Sequence, residues 1–580
     1  MKKVKYLAML LAAGMFAACS DNLEDAGAGN SGGTTSDKGY IRIALNLPTT
    51  SGENSRAAND DFEDGIAAEY AVNNAILVLF TGTAESSATY SQAFNLTPTL
   101  ESQPSDNVTT RYTTQAIEIN KPATGNVYGL VILNNNGLFQ VTTGTSGAHD
   151  KLQWKKTTSG QFEDFTGALS QLNTGTGYAI SDIATLANST ATTGGFFMTN
   201  SPKASVKGRE TQTNQDVTTL VELSVQDSED DANAAAPDEI YVERAVAKTT
   251  VKVKAQTNTS LTISSGDFNG ATVNFEGWLL NTTNTVTYLV RNVSAWKTWS
   301  GYTMPTGATA NSGNRFFGND DEFYRVYWAI DPNYDTAAGA NILQTYSSED
   351  YENSTITWGT IDNSATAAGS EHPQYCLENT TNETQMKEKE LTGVLFKTTF
   401  TPSGANAGDN FFMLGKTSEI YTEKNFLNLV NTILNLTNDD ALTSDDITGK
   451  GGTYNTASEV ATWLGITEEQ ATKLLADSRF SGDIKFYQNG VAYYYSAFIK
   501  HFGDDLTPYT NGAYTAADHL GRYGVVRNNW YELTVTEVSG PGSPEIPEPD
   551  PGDTPDDEES WIRCAINILS WAKRTQDVEL

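Results

Sequence analysis

The sequence predicts a mainly β protein: two β-sandwich domains in series, with helical insertions in the second. Three observations lead there. The 580 residues exceed what one core holds, since domains run roughly 100 to 200 residues. Low hydrophobicity with many Thr, Asn, Gly and Tyr favours strands and long surface loops over helix bundles. Short apolar runs bounded by polar residues recur along the chain, whereas helical periodicity is confined to two late stretches.

The chain begins MKKVKYLAMLLAAGMFAACSDNLED. Lys2, Lys3 and Lys5 precede an apolar run, Leu7 to Ala18, that is too short to span a bilayer, the pattern of a signal peptide. Ala17 and Ala18 directly before Cys19 resemble a bacterial lipobox, in which Cys19 would be lipidated. The acidic SDNLED that follows resembles the surface-export signal of some Gram-negative lipoproteins, and a Gly/Ser-rich tether leads on. No other segment is apolar enough to cross a membrane as a helix. Only Cys376 and Cys564 remain after Cys19, so no disulfide framework within a domain is expected and stability must come from packing.

Past the tether, GYIRIALNLP alternates Ile41, Ile43, Leu45 and Leu47 with Arg42, Ala44 and Asn46, the period of a half-buried strand ended by Pro48. The polar SGENSRAANDD follows, with Arg56 in its middle, an expected exposed loop open to a protease. AILVLF (75–80) and VYGLVILNN (127–135) read as central strands. The acidic QDSEDDANAAAPDE marks the expected domain junction, after which IYVERAVAKTTVKVKAQ (240–256), VNFEGWLL, TVTYLV, YRVYWAI and VLFKTTFTP form a second strand series. In TEKNFLNLVNTILNL (422–436), Phe426, Leu429, Val430, Ile433 and Leu434 share one helical face, and a second helix begins with Thr467 and Gln470 at capping-box spacing. KFYQNGVAYYYSAF is predicted to be a hairpin, because Asn489 and Gly490 suit the positive φ angles of a two-residue primed turn. WYELTVTEVSG (530–540) closes the globular part.

A net charge of −34, from 37 basic and 71 acidic residues, argues against nucleic acid as a partner, since phosphates would be repelled. His149, His372, His501 and His519 are scattered, with no nucleophile or acid at catalytic spacing, and no enzyme activity or cofactor is expected. His372 and Cys376 stand four apart, but Pro373 between them argues against a helical metal pair. DSEDD (227–231) and GNDDE (318–322) lack the alternating oxygens and Gly of a calcium loop, so no metal site is expected. The Tyr and Trp residues could stack on sugars, although aromatic alternation in strands is more often core or cross-strand pairing.

The tail is different. Beyond the Pro/acid-rich PGSPEIPEPDPGDTPDDEES comes WIRCAINILSW, in which Ile562, Cys564, Ile566 and Ile568 form one face and Arg563, Ala565 and Asn567 the other. This repeats the plan of residues 41–47, so the two ends are chemically interchangeable occupants of one type of site. That is the chemistry of strand complementation: a sandwich short of one strand exposes an apolar groove and unpaired edge groups until an extended segment fills it. Strand 40–48 would fill its own groove first. Cleavage at Arg56-Ala57 would detach it, and a neighbouring subunit's tail would replace it, giving an open head-to-tail fibre. The same pattern also fits two ends that each pair within their own chain.

These residues together resemble the FimA/Mfa-like fimbrillins, the type V pilins of Bacteroidales, and most closely the Mfa-type stalk subunits. The matching marks are Cys19 in its lipobox, YIRIALNLP followed by NSRAA, YVERAVAKTTVKVKA, VVRNNWYELTV, and a last strand with Trp571 and then VEL after the spacer. The resemblance implies transthyretin-like sandwich domains, export as a lipoprotein to the outer membrane surface, and a mature form in extracellular fimbriae. It also implies removal of the N-terminal strand by an Arg-specific surface protease, and as partners identical subunits, fimbrial anchor and tip proteins, and the membrane through the precursor's lipid. Tip and accessory subunits lack the terminal donor strand, so its presence implies a stalk role, with adhesion and biofilm formation as the fibre's business. The implied layout is a signal peptide and lipobox (1–19), a tether and removable strand (20–56), a first sandwich (57–238), a second sandwich with helical insertions (239–540), and a spacer with the donor strand (541–580). An insertion with helices between about 403 and 480 departs from the pattern. The alternative from a different class is a monomeric surface lipoprotein that binds glycans.

Overall fold

The N-terminal strand sits in the middle of a sheet. In the computed structural model, which describes residues 38–47, 66–97, 99–100, 110–143, 150–189, 195–204, 217–254, 259–293, 328–334, 342–353, 355–361, 372–415, 417–495, 498–501, 519–548 and 562–570, Ile43–Leu47 lies between two neighbours. It runs parallel to Asp238–Arg244 and antiparallel to Thr110–Thr113. The nine-stranded sheet continues outward from Asp238–Arg244 through Met198–Asn200, Asn126–Leu133, Ala75–Gly82 and Thr89–Leu96, with Thr99–Leu100 at the other edge. Ala75–Gly82 and Asn126–Leu133 pair on both sides, as their continuous apolar runs predict. Cys19, Arg56, Ala57, His149 and GNDDE (318–322) lie outside the described residues.

Residues 38–580 form one compact unit built on successive cores. The first gathers Ile41, Ile43, Leu45 and Leu47 with the strands just named. The second lies between two four-stranded sheets, one ordered Gln374–Leu377, Val246–Val253, Asn529–Val538, Ile562–Ser570, the other Ser260–Thr262, Thr272–Asn281, Gly393–Thr401, Val491–Tyr495. Val251, Leu533 and Val535 from one sheet meet Phe275, Phe396 and Tyr494 from the other, which is sandwich packing. A β-rich chain with many turns finds this solution because each sheet has one apolar face to bury.

A third core belongs to the inserted segment. Helix Glu423–Leu434 is capped by Thr422, whose side chain accepts from the Asn425 N–H, and ends with Asn435 in the left-handed region. Phe426, Val430 and Leu434 are buried, with Leu429 and Ile433 packed against them. Helix Glu468–Leu475 carries the Thr467/Gln470 capping box, and helix Ala457–Leu464 a further one from Thr456 and Glu459. The segment is not purely helical: strand Phe411–Leu414 turns Phe411 and Met413 to the second core and Phe412 and Leu414 to the third. One short strand therefore joins the two.

Three sequence expectations are corrected. Residues 484–487 and 491–495 are not a hairpin: the first pairs with Phe411–Leu414 and the second with Gly393–Thr401, in different sheets. Asn489 and Gly490 do take positive φ, 54° and 70°, but they turn a corner. The reason is burial, since Phe486 belongs to the third core and Ala492 and Tyr494 to the second. The change of core does not fall in the acidic stretch either. Its residues Glu229–Ala234 make a short helix capped by Ser228, and Asp238–Arg244 still belongs to the first sheet, so the changeover comes at Val246 and Ala247. Finally, the N-terminal strand is buried on both faces rather than one, with Ala44 at 0% and Asn46 at 6% exposure, because it is a central strand.

Candidate functional site

The candidate site is the slot that holds Ile43–Leu47. Its floor is the first core, into which Ile43, Leu45 and Leu47 project with no exposed surface. The expected continuous strand is broken at Arg42, and Ile41, equally buried in that core, ends a preceding strand, Lys38–Ile41, which pairs with Ile117–Asn120 in a separate two-stranded sheet. Burying four such side chains is worth roughly 6 to 12 kcal/mol as an upper figure. Its walls are backbone: Ala44 to Leu47 pair with Thr113 to Thr110 on one side, and Ile43 to Asn46 with Asp238 to Tyr241 on the other. Withdrawing the strand would leave two unpaired edges and an apolar trough between them.

The strand's other face is polar and specifically bonded. Arg42 donates from Nε to the Thr114 carbonyl at 3.1 Å and from a terminal nitrogen to the carbonyls of Asn233 (3.1 Å) and Ala235 (3.3 Å). A guanidinium at the carboxyl end of helix Glu229–Ala234 satisfies carbonyls the helix leaves open and complements its dipole. Asn46 donates through Nδ2 to Glu239 Oε2 at 2.5 Å, and Arg111 bonds the second oxygen of Glu239 at 2.5 Å. Ahead of the slot, Lys38 and Tyr40 both reach Glu118, whose carboxyl is held below its usual range chiefly by the bond from Lys38.

The terminal strand Ile562–Ser570 is elsewhere. It pairs antiparallel with Asn529–Val538, Ile562 opposite Val538, Cys564 opposite Val535, Ile566 opposite Leu533 and Ile568 opposite Tyr531, as the edge strand of its sheet. Ile562 is buried in the second core and Cys564 packs against it, whereas the side chains of Ile566 and Ile568 are outside the described ones. Within one chain the tail is thus not a lone strand. The two predicted strands occupy different sheets over different cores, the N-terminal one with two neighbours and the C-terminal one with one.

Beside the slot lies a buried ionic network that the strand patterns gave no sign of. Glu69, fully buried on the short helix Ala67–Tyr70, pairs with Lys248 at 3.1 Å and accepts from the Tyr375 hydroxyl at 2.6 Å. The Lys248 ammonium stands 3.6 Å from the centre of the Trp530 ring, a cation–π contact. Arg291 bonds Glu243 at 2.7 Å, and Arg527 bonds Glu378 at 3.0 Å, all four side chains buried. Asp331, beside Glu378, has its carboxyl pushed well up by burial first and by that neighbour's charge second. Glu243, Lys248, Arg527 and Trp530 fall within the YVERAVAK and VVRNNWYE segments. In a strand alternation they read as solvent-facing; only the packing of the first core on the second buries them.

Of the dismissed metal candidates, His372 is exposed with φ 47° while Cys376 is buried, its thiol pushed up to about 12 by burial. Among the described residues no cluster of three or more His, Cys, Asp or Glu could hold a metal, and no helix is long and apolar enough to cross a membrane. A polar cleft of about 1130 Å³ opens between the inserted segment and the second sandwich, lined by Asp267, Asn269, Asp409, Glu419 and Lys424 among others.

Comparison with known proteins bears on the tail. Residues 485–577, from strand Ile484–Tyr487 through the terminal strand, match the family described as major fimbrial subunit protein type IV, fimbrillin, C-terminal. No curated protein matches the chain. Among solved structures, it is similar to the tip fimbrial protein Mfa3 from Porphyromonas gingivalis with C-terminal truncation, at 10% identity and TM-score 0.29, covering 92% of this chain and 100% of that one. It is also similar to a fimbrial assembly protein from Parabacteroides distasonis, at 9% identity and TM-score 0.24, covering 64% and 88%. At scores this low the family match, not the structural likeness, carries the assignment. The chain is a mainly β protein that resembles the fimbrillins, and its residues 485–577 match the C-terminal region of a major fimbrial subunit family.

Proposed function

We propose that the protein is the polymerising stalk subunit of a cell-surface fimbria and that it assembles by strand exchange. The observation that carries this reading is the slot: a buried central strand precedes the described body in the chain, and the sequence between them, residues 48–65, contains Arg56. Cleavage at Arg56-Ala57 by an Arg-specific surface protease frees the strand. The tail of the next subunit, borne on its Pro/Asp-rich spacer, then takes its place. Once the cleaved strand has departed, filling the empty slot favours the fibre, because the tail leaves a one-sided edge for a seat with partners on both sides and each added backbone hydrogen bond contributes about 0.5 to 1.5 kcal/mol. A heterologous joint whose rotation closes no ring extends as an open filament.

On this reading the precursor is a lipoprotein held at the outer membrane through Cys19. The mature chain lies in extracellular fimbriae with anchor and tip proteins, and the fibre serves adhesion. The work is done by assembly, without enzyme chemistry. Treatment of the full chain with an Arg-specific protease is expected to yield a regular ladder of oligomers, and the Arg56→Ala variant to stay monomeric. Equal ladders from the variant would remove Arg56 from the scheme.

A further inference from the structure

The apolar face of a strand specifies which side goes inward but not how far the strand slides. A shift of two residues returns every side chain to the same face. Ile562, Cys564, Ile566 and Ile568 would fill the trough nearly as well one step up or down. Something else must set the register.

We infer that the polar face sets it: Arg563, Ala565 and Asn567 of one subunit's tail occupy the positions of Arg42, Ala44 and Asn46 in the next, and this triplet is the register and partner code of the joint. The inference rests on the strand-exchange reading proposed above. Aligned without a gap, IRIALNL (41–47) and IRCAINI (562–568) agree at Arg, Ala and Asn, with an aliphatic residue or Cys at every position between. The shared chain direction puts the tail parallel to Asp238–Arg244 and antiparallel to Thr110–Thr113, as the resident strand is.

Each position of the triplet meets a different requirement. At the first, three carbonyls, of Thr114, Asn233 and Ala235, converge on one guanidinium, and a side chain without donors would leave them unsatisfied. At the second, Ala44 is fully enclosed opposite Glu239 and Thr113, so only a small side chain enters. At the third, the amide of Asn46 donates to Glu239 Oε2. A two-residue slip fails all of these: it sets Ala565 before the three carbonyls and drives Asn567 into the enclosed position, or Arg563 in the opposite sense. The match is confined to residues 41–47. Two places earlier stands Gly39, where a Cβ would come within 2.4 Å of Val225 Cγ1, and the tail has Ser560 there.

The test uses the full chain with an Arg-specific protease and follows the rate of ladder formation. Arg563→Ala and Asn567→Asp are each expected to slow assembly about tenfold or more, the first by stranding carbonyls and the second by setting one carboxylate against another. Glu239→Gln, which restores an amide partner, is expected to return Asn567→Asp to within about twofold of the parent. This rescue is something a merely misfolded tail would not show. Circular dichroism of each uncut variant verifies that the body is unchanged. If the parent forms ladders and both tail variants match it, or if Glu239→Gln restores nothing, the register code is overturned while strand exchange stands. If the parent forms no ladder, or one that survives deletion of residues 561–580, strand exchange fails and the code with it.

Discussion

Single residues carry two kinds of charge in this protein, and each kind has its own consequence. Lys248 and Glu69 are paired without any exposed surface, and such a pair adds little over an apolar one while punishing the loss of either member. Lys248→Ala should therefore cost about 3 to 5 kcal/mol in urea unfolding, far beyond an exposed pair such as Lys387 with Glu383. Glu85 behaves oppositely. Burial pushes its carboxyl from 4.5 up to about 7, against the opposing N–H groups of Thr219 and Leu220. Between those values the folded chain keeps a proton that the unfolded chain has released, so stability falls as pH rises through the interval. Glu85→Gln should raise the melting temperature at pH 8, by an amount equivalent to roughly 1 to 3 kcal/mol, and leave it unchanged at pH 4. Lys248 was not legible in advance, because strand periodicity reports the partition between two faces and says nothing about a second core arriving on the polar one. Glu85 was not, because it stands in a short turn whose partners, Thr219 and Leu220, are more than 130 residues away in sequence.

At the scale of elements, local chemistry was read well where it is local. Thr467 and Gln470 start their helix as their spacing predicts, and Ala75–Gly82 is central because its run 75–80 is continuously apolar. Asn489 and Gly490 have the backbone angles expected of them, yet the strands they join part company, since the destination of each strand is fixed by Phe486 and Tyr494 choosing different cores. The same corner yields an expectation: Gly490 has φ 70°, and a Cβ there would meet the Phe400 carbonyl at 2.6 Å. Gly490→Ala should destabilise the chain by roughly 1 to 3 kcal/mol in denaturant unfolding, where a turn free of its surroundings would tolerate the change at about 1 kcal/mol or less. The two terminal strands were legible as elements and as twins. Their seats were not, because a strand's own sequence names the face it buries and not the neighbours it will have.

For the whole molecule, one architecture explains both ends. The first sheet holds Ile43–Leu47 as a central strand, the second carries Ile562–Ser570 of the same design at its edge, and on the proposed function a cut at Arg56-Ala57 releases the first for the second to replace. The most direct measurement separates giving from receiving. A chain lacking residues 561–580 and cut at Arg56-Ala57 can only receive; an uncut Arg56→Ala chain can only give. Light scattering on their mixture should find a dimer and nothing larger, with each component alone monomeric. Monomers in the mixture, or growth by either component on its own, would contradict assembly by strand exchange.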